Sequence, residues 1–597
     1  MNPRDMVERG WESCDFIFVS GDAYVDHPGF AVALVSRVLE DAGYQVGIIP
    51  QPDWKNRSSY MLLGRPRLGF LVGAGNMDSM VAHYTAAKKP RSEDAYSPGA
   101  QAGLRPDRAI LTYVAGIRSV YKHIPVIIGG IEASLRRFAH YDYWSDQVRR
   151  SVLLDAKADI LVYGMGERPI REIARRLNAG EAIETIRDVR GTCVRLSHAP
   201  PAATQASWIR LPDYEAVKGT DPDSRRKYAE HFMIQRSQAD PLSAQPVAER
   251  SDGDRWVIQN PPAFPLTQAE LDRVYELPYT RRAHPLYAEG IPALKEVAFS
   301  LVSSRGCFGG CSFCAITFHQ GRAVTGRSQE SLLGEAKTLT ALQGFKGYIH
   351  DVGGPTANFY RPPCPRQTQG GFCADRDCLY PAPCPRLRAD HQDYRETLSA
   401  LRNAGVKAGV KKIFIRSGIR FDYLGMDSRS GQGFLRDLCS FHVSGQLKVA
   451  PEHVAPLVLA AMGKGNPETY AAFRKAYTET NRSLGLKQYL IPYFISGHPG
   501  STLQDAVELA LYLKQSRFIP DQVQDFYPTP GTLSTVMYRT GLDPRTMEPI
   551  YVPKEREKRL QRALLHFNRP EYRALAREAL RLAHREDLIG PGPGQLV

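Results

Sequence analysis

Three cysteines set the first chemical question, because Cys307-Phe-Gly-Gly-Cys311-Ser-Phe313-Cys314 forms a C-x3-C-x2-C loop. Thiolates this close in sequence can converge on one cubane and leave its fourth iron without a protein ligand, whereas an ordinary electron-transfer cluster is closed by a fourth cysteine. An open iron is a place for a substrate or cofactor to coordinate. Gly309 and Gly310 relieve the crowding of a backbone wrapped round a cluster, and Phe313 can stack on a planar ring held beside it. The same three thiolates with a remote histidine would instead make a tetrahedral zinc site. Of ten cysteines, seven fall between Cys307 and Cys384, which in a reducing compartment points to metal rather than disulfides.

The other four of those seven, Cys364, Cys373, Cys378 and Cys384, lie in a 37-residue insertion from Pro355 to His391. This stretch is rich in Pro, Gly and Arg and has almost no aliphatic residues, so it cannot pack a core unless something staples it. Four thiolates supply a complete ligand set with no open position. The expectation is a second metal, either zinc or an auxiliary iron–sulfur cluster, that folds the insertion over the mouth of the β/α barrel; unliganded thiols in a loop are the alternative.

The elements that must position these residues follow from periodicity. Apolar runs at 297–303, 347–352, 411–416, 446–450, 487–495 and 521–527 read as strands, with helical spacing near 329–342, 393–404, 434–442, 467–484 and 502–516. Six β/α units without a seventh and eighth predict a partial barrel, with chemistry at the strand carboxyl ends. Upstream, 15–22, 45–50, 68–74, 125–130 and 159–164 repeat the strand pattern, and 28–42, 146–154 and 167–177 read as helices, predicting a doubly wound α/β sheet. The resulting α/β organisation is a Rossmann-like N-terminal domain over 1–199, an irregular linker over 200–290, a (β/α)6 barrel over 291–550 carrying the insertion 355–391, and a basic helical tail over 551–597.

The cysteine loop directly after the first strand of a β/α series, with an aromatic before the third Cys, resembles the radical S-adenosylmethionine (SAM) superfamily. That resemblance implies a [4Fe–4S] cluster on Cys307, Cys311 and Cys314 whose open iron chelates the amino and carboxylate groups of SAM. An electron, from a donor such as flavodoxin or ferredoxin, then cleaves the sulfur–C5′ bond, and the 5′-deoxyadenosyl radical abstracts hydrogen from a substrate the sequence does not identify. Phe313, the glycine turn at Gly353 and Gly354, and Arg416 and Ser417 at the end of the third strand become the expected SAM contacts. His453 and His498 lie at the ends of strands four and five, and no catalytic residue is assigned. The order Val-Ser-Ser-Arg-Gly-Cys, Asp-Val-Gly-Gly-Pro-Thr-Ala-Asn, Val-Ala-Pro-Glu-His and Phe-Ile-Ser-Gly-His-Pro-Gly is similar to the YgiQ family of radical SAM proteins over nearly the whole chain.

In the N-terminal part, Ile127 to Ser134 and Leu161 to Glu167 resemble glycine turns of the cobalamin-binding domain that precedes many radical SAM barrels. The D-x-H-x-x-G loop that supplies a lower-ligand histidine is absent, although Asp26-His27-Pro28-Gly29 occupies a comparable stretch. Bound cobalamin is therefore one expectation, and a domain kept for substrate docking the other.

The 597 residues allow three or four domains with real cores, and 43% hydrophobic with 23% charged residues excludes a disordered or fibrous chain. No run approaches a membrane span and the start is too charged for a signal peptide, which places the chain in the cytosol. The net charge of +14 favours polyanionic partners, so the rival to an enzyme is a metal-stabilised nucleic-acid-binding protein in which both cysteine groups are structural.

Overall fold

The computed structural model describes residues 2–199, 201, 207–518, 520 and 523–597. Strand β1 (Phe16–Ser20) shows why the N-terminal sheet forms. Its side chains alternate between two apolar cores: Phe16 and Phe18 pack with α1 (Ala31–Asp41), and Ile17 and Val19 pack on the other face. Next come β2 (Val46–Pro50), β3 (Gly69–Gly73), α2 (Ala109–Val120), β4 (Val126–Gly129), β5 (Ile160–Val162) and α3 (Glu167–Asn178). The parallel strands run in the order β2-β1-β3-β4-β5, so the connection reverses beside β1, and ligand space opens at the carboxyl edge there.

The sheet then continues through the segment expected to be a linker. After β6 (Thr192–Leu196) come β7 (Ile209–Arg210), α4 (Pro222–Ser237), β8 (Val247–Arg250) and β9 (Trp256–Gln259), giving nine strands among the described residues in the order β7-β8-β9-β6-β5-β4-β3-β1-β2. The polar texture misled because the apolar segments that enter the core, Val247-Ala248 and Trp256-Val257-Ile258, are short and stand beside a buried polar pair. His231 on α4 and Glu249 on β8 are both fully buried and joined at 2.7 Å. The helix expected at 146–154 is a hairpin, His140–Asp142 against Gln147–Arg149, followed by one helical turn at Val152–Asp155.

The barrel strands fall where periodicity put them. They are β10 (Ser300–Val302), β11 (Tyr348–Ile349) and β12 (Asp351–Gly353), which share one run broken at His350, then β13 (Lys412–Ile413), β14 (Gln446–Glu452), β15 (Tyr489–Ser496) and β16 (Gln524–Asp525). Within the sixth expected run, Asp521 and Gln522 lie outside the described residues. All recorded pairs are parallel: β10 with β12, β11 with β13, and β14 with β15 with β16. Between them stand α5 (Gln329–Thr340), α6 (Gln392–Lys407), α7 (Pro467–Ser483) and α8 (Leu503–Gln515), whose apolar faces meet the strands in two cores. The architecture is α/β throughout.

The basic tail is part of this body rather than an appendage. In α9 (Glu555–Leu565) and α10 (Arg573–Leu582), Leu560, Leu564, Ala576 and Leu580 are buried in one cluster with Val507, Ala510 and Leu513 of α8. Among the described residues, no helix is long and apolar enough to cross a membrane.

Candidate cluster and cofactor site

The chain leaves β10 through Ser304–Arg305, which pairs antiparallel with Thr325–Gly326, so residues between them make a closed excursion holding the three cysteines. Gly306 turns this loop at φ +83°, where a Cβ would collide with the Ala323 carbonyl. Gly310 is likewise left-handed, at φ +68°. The Cys307 N–H donates to the Gly321 carbonyl at 3.1 Å, the Cys314 N–H to the Cys311 carbonyl at 3.1 Å and the Ser312 N–H to the Met462 carbonyl at 2.9 Å.

Arg420, beyond β13, reaches this loop. Its Nη1 donates to Cys311 Sγ at 3.4 Å and to the Gly309 carbonyl at 3.3 Å, while Asp422 holds the other side of the guanidinium through Nε at 2.9 Å and Nη2 at 2.5 Å. Cys307 Sγ lies 3.6 Å from Thr356 Oγ1. Burial pushes the Cys307 thiol up and the Cys314 thiol up to about 12, with the neighbouring sulfurs adding to both. Thiols so buried ionise only with a cation to receive them, so loading releases protons. Among the described residues no group of three His, Cys, Asp or Glu is arranged to hold a single metal ion. Three thiolates on one loop can each bind one iron of a cubane, or together with a remote histidine bind zinc.

A cleft of about 720 Å³ separates the sheet from the barrel. One wall is the carboxyl edge of the sheet, with Gly29, Gly75, Gly129 and Gly164; the other carries Ser304, Gly353, Gly354, Arg416 and Ser417. Gly353 and Gly354 do not need left-handed backbone. They need the space: a Cβ on Gly353 would lie 2.5 Å from Ser417 Oγ, and one on Gly354 2.5 Å from the Ser304 carbonyl. Asp351 binds the next strand end, accepting the Arg416 N–H at 2.7 Å, the Ser417 N–H at 3.1 Å and the Ser417 hydroxyl. The Ser304 hydroxyl is buried without a hydrogen-bond partner among the described residues, a polar group left for something in the cleft.

Two contacts lock sheet to barrel. Arg305, two residues before Cys307, forms a buried ion pair with Glu167 at the start of α3. His319 Nδ1 meets Ser134 Oγ at 2.9 Å, and that oxygen also accepts the Gly164 N–H at 3.0 Å. Burial pushes His319 down to about 4, so it is neutral. A smaller cavity of about 160 Å³ touches Cys311 and Cys314 and is walled by Phe232, Phe318, Phe372 and Asp377. His319, Gln320, Arg305 and Glu167 border both spaces.

Other expected residues stand apart. Phe313 does not border the cleft; its ring meets His498 edge-on at 6.2 Å, and Lys464 Nζ lies 5.9 Å from it. His498 has both nitrogens engaged, at 2.6 Å to the Pro499 carbonyl and 2.6 Å to Ser534 Oγ, which makes it a structural group. His453 accepts the Ala455 N–H at 3.0 Å and faces a separate cavity with Arg420, Asp422 and Lys464. His27 is also committed, Nδ1 to the Gly29 N–H at 2.9 Å and Nε2 to Arg281 at 2.9 Å. The insertion places Cys364, Cys373, Cys378 and Cys384 around one cavity of about 240 Å³.

Residues 1–300 match the family model "Radical SAM N-terminal", and 521–597 match a "Domain of unknown function (DUF3362)". The UPF0313 protein CLJ_B0249 of Clostridium botulinum (strain 657 / Type Ba4) is 51% identical over 600 residues, covering 100% of this chain and 92% of that protein. The chain belongs to the UPF0313 (YgiQ) family. A second UPF0313 member, CPE1196 of Clostridium perfringens (strain 13 / Type A), is 52% identical over 596 residues, 99% of this chain and 88% of its own length. Among solved structures, the cobalamin-dependent S-adenosylmethionine radical enzyme OxsB, with aqua-cobalamin and SAM bound, aligns over 97% of this chain and 72% of its own at a TM-score of 0.50. At 11% identity this likeness is one of fold.

In this UPF0313 chain the sequence singled out the cysteine loop and expected SAM contacts at Gly353, Gly354, Arg416 and Ser417, which line the cleft. It did not assign Asp351, Glu167 or His319, nor single out Arg420. A signal was present for Arg420, which closes the stretch Arg416-Ser-Gly-Ile-Arg420 after the third barrel strand.

Proposed function

We propose that this UPF0313 protein is a radical SAM enzyme. A [4Fe–4S] cluster on Cys307, Cys311 and Cys314, SAM in the barrel side of the 720 Å³ cleft and cobalamin against its glycine-lined sheet side make up the cofactor set. The supporting observation is the way the two cavities meet: the cleft and the smaller aromatic pocket share His319, Gln320, Arg305 and Glu167 beside Cys311 and Cys314. When bound, the cluster and SAM would supply a 5′-deoxyadenosyl radical.

The chain's residues have distinct tasks in this reading. The Ser304 hydroxyl and the Gly353-Gly354 turn receive SAM, Asp351 fixes Arg416 and Ser417 beside it, and Arg420 offers a cation to the cluster sulfurs. A corrinoid would sit without a histidine from the Asp26-His27 stretch, because both ring nitrogens of His27 are engaged. The substrate enters the aromatic pocket, where Arg137, held by Gln259 Oε1 and the Ser134 carbonyl rather than by a carboxylate, suits a molecule with an anionic or strongly polar group.

Anaerobic reconstitution with iron and sulfide, followed by addition of SAM and dithionite, tests the reading. Release of 5′-deoxyadenosine is expected; a fully loaded protein that leaves SAM intact overturns it. Retention of hydroxocobalamin through gel filtration tests the corrinoid separately.

A further inference from the structure

We propose that Cys364, Cys373, Cys378 and Cys384 hold a second, closed four-iron cluster that builds the wall of the aromatic pocket. The four cysteines, spaced over twenty-one residues, surround a single cavity of about 240 Å³ also bordered by Arg366, Gln367 and Phe372. A zinc ion bound to four thiolates at ~2.3 Å leaves no internal space. Here all four cysteines border one cavity of about 240 Å³, room for a cubane that takes one thiolate on each iron.

The surroundings suit an anionic cluster. Arg366, Arg376 and Arg386 border the cavity. Arg322 comes from the cysteine loop of the barrel and donates to the Cys373 carbonyl at 3.1 Å and the Arg376 carbonyl at 2.8 Å. Gln367 Nε2 points to Cys378 Sγ at 3.9 Å, a donor to a sulfur. The backbone already pairs across the set, with the Cys384 N–H on the Cys378 carbonyl at 2.8 Å.

The insertion has little apolar core of its own, and its position explains why it must be held. Asp377 accepts from Arg236 at 2.6 Å and packs against Gly310, where a Cβ would lie 3.1 Å from its carboxyl. Phe372 and Asp377 wall the pocket that Cys311 and Cys314 also border. All four cysteines ligate in this arrangement, so the second cluster has no open iron and serves to fix the pocket wall.

The assignment does not rest on the radical SAM reading, and metal analysis separates the two. After anaerobic reconstitution of the full chain with iron and sulfide, about eight irons and eight sulfides per chain are expected. The Cys307→Ala, Cys311→Ala, Cys314→Ala variant should keep about four of each, and the Cys364→Ser, Cys373→Ser, Cys378→Ser, Cys384→Ser variant should lose about four. About four irons in the full chain, with none in the first variant, overturns the second cluster, as does about one zinc per chain retained by that variant. If the first variant is insoluble, the four-serine variant decides: it loses about four irons relative to the full chain where the second cluster exists, and none where it does not. Four irons kept in that variant from a full chain that also holds four would sink the first site instead.

Discussion

Arg420 Nη1 lies 3.4 Å from Cys311 Sγ, so the loop after the third barrel strand delivers a fixed positive charge to the cysteine loop after the first. Asp422 prevents that guanidinium from swinging away, and both side chains are nearly buried. A cation held beside a cluster sulfur stabilises the reduced, more negative state. Arg420→Met should therefore lower the cluster's midpoint potential by tens of mV, on the order of a 1 kcal/mol change in a one-electron couple. Spectroelectrochemical titration checks this, with Arg420→Lys expected to fall between the two. An unchanged potential in Arg420→Met would remove the residue from the cluster's environment.

Loss of any one of Cys307, Cys311 or Cys314 to alanine should abolish 5′-deoxyadenosine formation while the chain stays folded. Two thiolates would not hold a cubane firmly, but the barrel core comes from residues such as Leu301, Ile349, Val352 and Ile413, in a cluster that includes none of the three cysteines. Circular dichroism with product assay separates the two effects. Wild-type product formation from any of these variants would refute the cluster ligands.

Gly354→Val should destabilise the barrel by about 2 kcal/mol, the scale of overpacking a tight site. The added Cβ would meet the Ser304 carbonyl, a backbone atom that cannot swing aside. Gly418→Ala is the matched control, since nothing lies within 4 Å of its Cβ position and its φ is not positive. Urea denaturation of both variants is the measurement, and equal midpoints would show that the strand ends are not packed this closely.

The glycine pair also shows where sequence reading reaches its limit. The motif Asp351-Val-Gly-Gly could be recognised as a turn at a strand end, and the six barrel strands and cysteine loop were legible because periodicity and ligand spacing are local. What Gly354 must avoid is a carbonyl fifty residues earlier, and such contacts leave no trace in spacing. The nine-stranded sheet was half legible for the same reason. Its parallel strands are apolar runs, whereas β7 to β9 come from a polar stretch whose short apolar segments, Val247-Ala248 and Trp256-Val257-Ile258, enter the core beside the buried His231–Glu249 pair. Phe313 was given a ring to stack on from its place in the motif, but the fold turns it toward His498 and Lys464.

Stability should fall as pH drops from about 6.5 toward 4. Burial holds His140 and His442 down at about 4 and His453 and His498 at about 3, so the folded protein keeps all four neutral. The unfolded chain protonates them near the ordinary histidine value, and therefore binds more protons throughout that window. Folding is favoured above it and penalised within it, by on the order of 1 kcal/mol per histidine per pH unit. Denaturant midpoints at pH 7.5, 6.5 and 5.5 should decline only below 6.5. A flat profile down to pH 5 would mean these histidines are hydrated rather than buried.

The Glu167–Arg305 pair joins the two halves of the site, so its removal should separate a packing role from a charge role. Both side chains are almost fully buried, Glu167 at the start of α3 and Arg305 beside the cysteine loop, with Arg305 Nε also 3.2 Å from the Tyr275 hydroxyl. Taking two charges from water costs about what their attraction returns, so the pair adds little net stability, while deleting one partner strands the other charge at a cost of about 3–5 kcal/mol. Arg305→Met should therefore be strongly destabilised, and the Arg305→Met, Glu167→Gln double variant should recover most of that loss. Urea unfolding of the two single variants and the double closes the cycle. Additive losses in the double variant would show that the residues do not act as a pair, and that sheet and barrel are held together by other contacts.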